Sequence, residues 1–461
     1  MQPETERDDL RRILDVRGDV QVSGAAGLDG ALPVSTLATM AMSALASTVD
    51  ALLRSAGLTP GAEVRVDRTL VDAWLGRHIR PAQGTFPSPW DPFSGAFDTG
   101  DGSWIRTHAN APHHRRALLT ALALPDAQSV EELSAAIAER GAEELESAIV
   151  AAGGAAAAFR TRAEWMRSAP GSAVAGEPLI ARTDTSTARA VSSWHPEPAR
   201  PLAGLRVLDL TRVIAGPAAT QVLAGLGAEV LRVDPDTWDE PAVLPYVMGG
   251  KRSTRLDAST PAGRRALADL LAEADVLVHG YRAGAIDHLG LGEGERQRLR
   301  PGLVEVGVRA YGWSGPWAGR RGFDSLVQFS TGVADIGMRH ADAAAPVSLP
   351  VQALDWTTGY LAAAAAIAGL TRRQIAGRGS TWRLSLARTA HALTMLAAEA
   401  PASDPDPASD PDPASALGAG ERIETPDGAL LLAPPPFRVG EATLRFDHVA
   451  TRLGGDAPAW L

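Results

Sequence analysis

The 461-residue chain contains no cysteine, which excludes disulfides, thiolate metal sites and a thiol nucleophile. It has one lysine, Lys251, among 44 basic residues. A drift toward arginine explains the excess. The survivor is accounted for either by chance or by a position that needs a compact ammonium rather than a planar fork. There is no surplus of positive charge: the formal net charge is -10, so nothing suggests a nucleic-acid partner, and an anionic small molecule would need a local basic pocket. No uncharged apolar run reaches the length of a bilayer, and Met1 to Arg12 lacks the apolar core of a signal peptide. These absences lead us to expect a cytoplasmic protein with no membrane partner. Three motifs are also missing. Without H-E-x-x-H or G-x-S-x-G, zinc and serine hydrolases have no support, and without G-x-G-x-x-G a nicotinamide dehydrogenase is remote. What remains, 45% hydrophobic and 21% charged, is ordinary for a globular protein of two or three domains.

The pattern along the chain divides it. Residues 200–395 alternate strand-like and helical runs. Leu205–Leu210, Glu229–Asp234, Asp275–Val278 and Leu303–Val308 read as buried strands; Gly216–Gly227 and Thr260–Ala274 read as helices. This spacing predicts an α/β fold, a Rossmann-like parallel sheet wound with helices. Residues 81–195 predict a smaller α+β domain. It opens with a hairpin about Asp101-Gly102 and continues into helices Arg115–Leu124 and Ser129–Ala152. Residues 400–416 are a Pro/Asp/Ala/Ser tract of low complexity, expected to be a tether, and residues 417–461 begin with a second Asp-Gly hairpin.

Residues 1–80 carry a partial echo of the larger domain. Leu32-Pro33-Val34-Ser35-Thr36-Leu37-Ala38 precedes an apolar helical run, as Leu349-Pro350-Val351-Gln352-Ala353-Leu354-Asp355 precedes another. In register, Leu, Pro, Val and Leu coincide, and Ala38 stands where the other copy has Asp355. A strand signal follows each helix, Glu63–Asp67 and Thr381–Leu386. Two related passages, one with the acid and one without, suggest a single chemical site and a degenerate partner. An arbitrary aspartate here would be read as a helix cap; the alanine in the other copy favours a functional role.

Other constellations sit where such a fold binds ligands, at the carboxyl edge of the sheet. Val213-Ile214-Ala215-Gly216-Pro217 joins the first strand to the first helix, and its small residues would admit a ligand to the backbone. His279-Gly280-Tyr281-Arg282-Ala283-Gly284 follows another strand; Tyr281 could stack on a purine with Arg282 near phosphate. Gly249-Gly250-Lys251-Arg252-Ser253 is not a phosphate loop, because Arg252 separates Lys251 from Ser253, yet two cations after two glycines suit an anion. His108, His113 and His114 lack metal-site spacing and are expected to be exposed or partly packed on the small domain; no metal is expected.

Residues 200–395 resemble the family III CoA-transferases. The resemblance rests on Pro201–Thr211 through Ala215-Gly216-Pro217, Leu226–Val230, Gly250–Ser253, Tyr281–Gly284, Tyr311–Pro316, Gly322–Gln328 and the Asp355 segment, all in one order. It implies an acyl-CoA:carboxylate CoA-transferase whose substrates are acyl-CoA and a free carboxylic acid, with no permanently bound cofactor. By the same resemblance Asp355 is the nucleophile, forming a mixed anhydride and then an aspartyl-CoA thioester. Val213, Tyr281, Arg282, His288, Arg321 and Phe323 surround CoA, with Lys251 and Arg252 as further contacts. The pattern departs at Gly280, where the family often has Asn, and at Ile214, which lacks the glutamine of formyl-CoA transferase and argues against oxalate–formate chemistry. Phe323 stands where related racemases carry histidine. Family members are interlocked dimers, so the chain is expected to be either a homodimer or an intramolecular pseudo-dimer. An acyl-CoA isomerase or racemase, and a non-catalytic CoA-binding subunit, remain alternatives.

Overall fold

Six strands from the second half of the chain form the parallel part of one seven-stranded sheet in the computed structural model. The structure describes residues 3–28, 30–58, 63–124, 129–188, 194–282, 284–398 and 420–461; the expected tether at 400–416 lies outside them. Across the sheet the strands are Lys251–Arg255, Glu229–Asp234, Arg206–Leu210, Val276–His279, Val304–Arg309 and Arg378–Ser385. In chain order that is 3-2-1-4-5-6, the doubly wound arrangement. A seventh strand, Ala181–Ala188, arrives from the first half and pairs antiparallel with Arg378–Ser385. The strands are rich in Val and Leu and buried along nearly their whole length, as expected of a sheet covered on both faces. The strand order reverses between Arg206–Leu210 and Val276–His279, and a crevice opens there at the carboxyl ends.

The helix Ala353–Ala376 lies in the core and is buried around almost its whole circumference. It packs on the helix Ala215–Gly225, on strands of the sheet and on a helix from the first half, Val34–Ser55. The first contact is close because it is made by small residues. A side chain at Gly359 would lie 2.5 Å from the Ala215 carbonyl oxygen and 2.9 Å from the Ala218 methyl. Val34–Ser55 corrects one sequence expectation: with 22 residues it is long and apolar enough to cross a membrane by composition alone. Most of it is buried against Ala353–Ala376 and its surroundings, the environment of a core helix.

The first half begins with the helix Pro3–Ile13 and contributes two further small sheets. Val64–Asp67 pairs in parallel with Gln21–Ser23 and antiparallel with Phe437–Val439. Ile79–Pro81 extends the C-terminal hairpin Glu421–Ile423/Leu430–Leu432. The passages compared in sequence both run helix, strand, helix: Val34–Ser55, Val64–Asp67, Arg68–Ala73 and Ala353–Ala376, Arg378–Ser385, Leu386–Ala397. The smaller domain is narrower than the expected 81–195: its later strand, Ala181–Ala188, joins the large sheet, and residues 93–158 form a smaller α+β unit. Its strands Ala96–Asp98, Trp104–Thr107 and Ala156–Ala158 share a core of Phe93, Phe97, Ile105, Leu133, Leu145 and Ile149. The first helix of this unit is Pro112–Ala121. The single helix expected over 129–152 is two, Val130–Ile137 and Ala142–Ala151. The tip of the hairpin occupies the break: Asp101 accepts from the Ala142 N–H at 3.1 Å, and the Gly100 N–H donates to the Arg140 carbonyl at 2.8 Å.

Candidate active site

Asp355 stands in the first turn of Ala353–Ala376. The residue that caps this helix, Gln352, supplies no side-chain hydrogen bond. The cap comes from elsewhere: the carboxylate of Asp324, at the start of the helix Asp324–Ser330, accepts from the Asp355 N–H at 2.9 Å. Gln328 Nε2 holds the other Asp324 oxygen at 2.5 Å, while Gln328 Oε1 accepts from the Leu349 N–H at 2.8 Å. Two carboxyl groups are thus fixed side by side, Asp324 fully buried and Asp355 only 6% exposed. Burial raises Asp355 well above the usual carboxylate range, and the neighbouring charge of Asp324 raises it further. Burial also raises Asp324. A carboxyl group of this kind is held against ionisation, and is correspondingly basic once ionised.

Asp355 borders two cavities. The larger, about 400 Å³, follows the carboxyl ends of the strands at the switch point and is lined by Thr211, Arg212, Val213, Gly280, Tyr281 and Arg282, among others. Arg212, Arg282, Arg309, Arg320 and Arg321 all face it. Two of them are already paired, Arg212 with Asp234 and Arg320 with Glu146. Arg282, Arg309 and Arg321 have no carboxylate partner among the described residues. Arg309 lies over Trp313 with 3.8 Å to the ring centroid, and Arg321 donates to the Gly153 carbonyl. Burial lowers the pKa of Arg321, and repulsion from Arg282 lowers it further. His113 is likewise lowered by burial and then by Arg321 and Arg212. The cavity is therefore an unneutralised positive site, suited to an anionic ligand.

The smaller cavity, about 250 Å³, lies on the other side of Asp355 and is mainly apolar; Leu75, Trp90, Val243, Tyr246, Val351 and Trp356 form much of its wall. Val213, Phe323 and Asp355 border both spaces. Val213 has φ +67°, an outlier for a β-branched residue. Its N–H donates to Glu240 at 3.0 Å, and Glu240 is anchored by the fully buried Arg232 at 2.5 Å. The strained turn presents the backbone at the point where the cavities meet.

The structure gathers most of the residues expected around CoA. Val213, Tyr281, Arg282, Arg321 and Phe323 line the larger cavity with Asp355. His288 is exposed on the short helix Ala285–His288 and lines neither space. Lys251 is a correction. It is fully buried, and its Nζ donates to Asp209 at 3.1 Å, Thr220 at 2.5 Å and the Pro217 carbonyl at 2.7 Å. All three ammonium protons are used between sheet and helix, so none can reach a ligand. Burial still lowers its pKa to about 8. Arg252 is similarly engaged, with Glu229 and the Ala459 carbonyl.

The histidines are a second correction. His108 and His114 are buried rather than exposed, and all three line one of the cavities. His108 stacks on Phe323 with centroids 3.7 Å apart. Burial lowers its pKa to about 3, with a contribution from Arg106, so the ring is neutral. No cluster that could hold a metal ion occurs among the described residues. Arg77, Trp90, the histidines and Trp356 were not expected at the site. Most come from residues 75–114, whose approach depends on tertiary packing, and only the aromatic and histidine content of that segment hinted at it.

Residues 202–429 match the profile of CoA-transferase family III. The chain is 34% identical over 215 residues to the acetyl-coenzyme A transferase nodX of Hypoxylon pulicicidum, covering 44% of this chain and 36% of that protein. It is 35% identical over 194 residues to the succinyl-CoA:glutarate CoA-transferase of Mus musculus, covering 39% and 44% respectively. A crystal structure of Rv3272 from M. tuberculosis aligns with a TM-score of 0.40 at 31% identity, over 44% of this chain and 59% of that one. The chain spans less than half the length of these two curated relatives.

Proposed function

We propose that this chain, whose residues 202–429 belong to CoA-transferase family III, moves CoA from an acyl-CoA to a free carboxylic acid with Asp355 as the covalent nucleophile. One observation carries the reading: a buried, basic carboxyl group lies where an arginine-rich cavity meets an apolar one. In this reading the phosphates of CoA meet Arg282, Arg309 and Arg321, Tyr281 offers a stacking face, and the thioester passes between Val213 and Phe323. The acyl group enters the smaller cavity. The segment 75–114 lines both spaces within one chain, which supports a site completed intramolecularly. We read residues 1–80 as a degenerate copy of the larger domain, on the shared motif and element order.

The chemistry needs no external acid or base. The ionised Asp355 attacks the thioester carbonyl; the C–S bond breaks, leaving an aspartyl–acyl anhydride and CoA thiolate. The thiolate attacks the aspartyl carbonyl and expels the first acid as its carboxylate, giving an aspartyl-CoA thioester. The acceptor carboxylate attacks that thioester, releasing thiolate and forming a second anhydride. Attack of the thiolate on the acceptor carbonyl yields the new acyl-CoA and restores Asp355. A carboxylate is a weak nucleophile in water. Fixed positioning through Asp324 and removal from solvent offset that weakness.

Incubation with acyl-CoA should leave CoA covalently on the intact protein by mass spectrometry, and Asp355→Ala should abolish it. An undiminished adduct in the variant removes Asp355 from the mechanism. A racemase reading has one observation in its favour, since His108 shares the smaller cavity with Asp355. An imidazole lowered to about 3 is too weak a base to remove an α-proton readily. Solvent deuterium incorporation without CoA exchange would reverse this preference.

A further inference from the structure

The smaller cavity contains one cation. Arg77 lines it from the turn after Arg68–Ala73, where its N–H donates to the Ala73 carbonyl at 2.8 Å. The turn is held on both sides. Gly76 adopts φ +94°, and a side chain there would lie 3.0 Å from Trp356 Nε1, so the backbone is packed against the residue that follows the nucleophile. His78 is buried, stacked on Trp74 with centroids 4.5 Å apart, and makes a 3.0 Å hydrogen bond to the Tyr246 carbonyl. The Cα of Arg77 is therefore well fixed while its guanidinium, half-buried, pairs with no carboxylate among the described residues. Neither acid of this cavity, Asp355 or Asp324, forms an ion pair with it among the described residues; Asp324 is held instead by Gln328 and the Asp355 N–H. The cation and Asp355 thus share one cavity whose lining includes Leu75, Val243, Val351, Tyr246 and Trp356.

A half-buried guanidinium beside apolar side chains is better matched when an anion meets it. Its planar fork suits a carboxylate. The reacting end of any substrate must lie at Asp355, so the anion at Arg77 belongs to the other end of the same molecule. We propose that Arg77 is a specificity-determining residue that binds a second, distal carboxylate, so that the acids exchanged are dicarboxylic acids with a short apolar spacer. The inference rests on the transferase reading and deepens it. A monocarboxylic acid of equal length would leave the half-buried guanidinium unpaired, a loss that favours the dicarboxylic acid.

The test compares pairs matched in length, glutaryl-CoA with pentanoyl-CoA as donors and glutarate with pentanoate as acceptors, in the full chain and in Arg77→Leu. In the wild-type chain kcat/KM should favour the dicarboxylic member by roughly 10- to 100-fold, the weight of one charge-assisted pair. Arg77→Leu should invert the ratio, lowering glutaryl transfer and raising pentanoyl transfer; a gain on one substrate also shows that the variant folds. Wild-type transfer that favours the monocarboxylic acids overturns the role of Arg77 and leaves the transferase reading standing. So does an equal loss on both members of a pair in Arg77→Leu, since that marks a cation steering any acid. Failure of every donor to form the Asp355 adduct overturns both.

Discussion

Replacing Asp324 by asparagine tests the pairing of the two carboxyl groups most directly. The carboxylate of Asp324 accepts from the Asp355 N–H at 2.9 Å and from Gln328 Nε2 at 2.5 Å. Asparagine offers one oxygen for two donors, so the cap on the helix and the bond from Gln328 cannot both survive. Loss of one buried hydrogen bond costs about 1–3 kcal/mol of stability. The electrostatic effect has a different readout. Two unit charges about 4–6 Å apart interact by about 3–4 kcal/mol at an effective dielectric near 20. Asp324 raises Asp355, so neutralising it should lower Asp355.

The sign follows directly. In the proposed mechanism Asp355 attacks only when ionised, so single-turnover formation of the CoA adduct should fall as pH drops through its raised pKa. In Asp324→Asn that acidic limb moves to lower pH. The plateau at high pH should fall modestly, because a less basic carboxylate is a poorer nucleophile. The rate of adduct formation measured by mass spectrometry from about pH 4.5 to 8.5 reads both effects, since the usual carboxylate pKa lies near 4. An acidic limb that stays in place in a folded variant refutes the electrostatic coupling, whatever the loss of stability.

Three further outcomes follow from the site. Asp355→Asn should stabilise the fold at neutral pH. The native pKa is raised above its unfolded value, so the wild-type chain loses stability as pH rises through that pKa, whereas the amide has no charge to bury; melting curves should diverge at pH 8 and converge below about pH 4, near the unfolded pKa. Lys251→Met should cost about 3–5 kcal/mol in denaturant unfolding, because Asp209 is left as an uncompensated buried charge, yet CoA affinity of the folded fraction should not change. Arg282→Ala and Arg321→Ala should each weaken CoA binding in titration calorimetry, with a loss that shrinks at high salt; loss of affinity independent of salt would argue against phosphate contact.

The contrast between Lys251 and Arg321 shows where reading a chain reaches its limit. Both lie in passages that resemble CoA-transferases, and both were expected near CoA. The side chain of Lys251 ends between sheet and helix, where it meets Asp209, Thr220 and Pro217; Arg321 faces the cleft. Residue type and local motif are the same for either outcome. What differs is the face of the strand or loop on which the side chain emerges, and which neighbours are packed there. The histidines make the same point in reverse. Nothing local indicated that His108 would stack on Phe323.

The parallel sheet was legible because β and α periodicities alternate strongly; its strand order came from the structure. Asp355 stood out because one of two similar passages keeps an acid and the other has alanine, and the structure places it between two cavities. Local signals of this kind reach a few residues in either direction. The capping of Asp355 by Asp324, the two cavities meeting at Asp355 and the arrival of Arg77 all join segments far apart in the chain. They depend on packing and on charge in a shared dry interior, and only the folded structure could decide them.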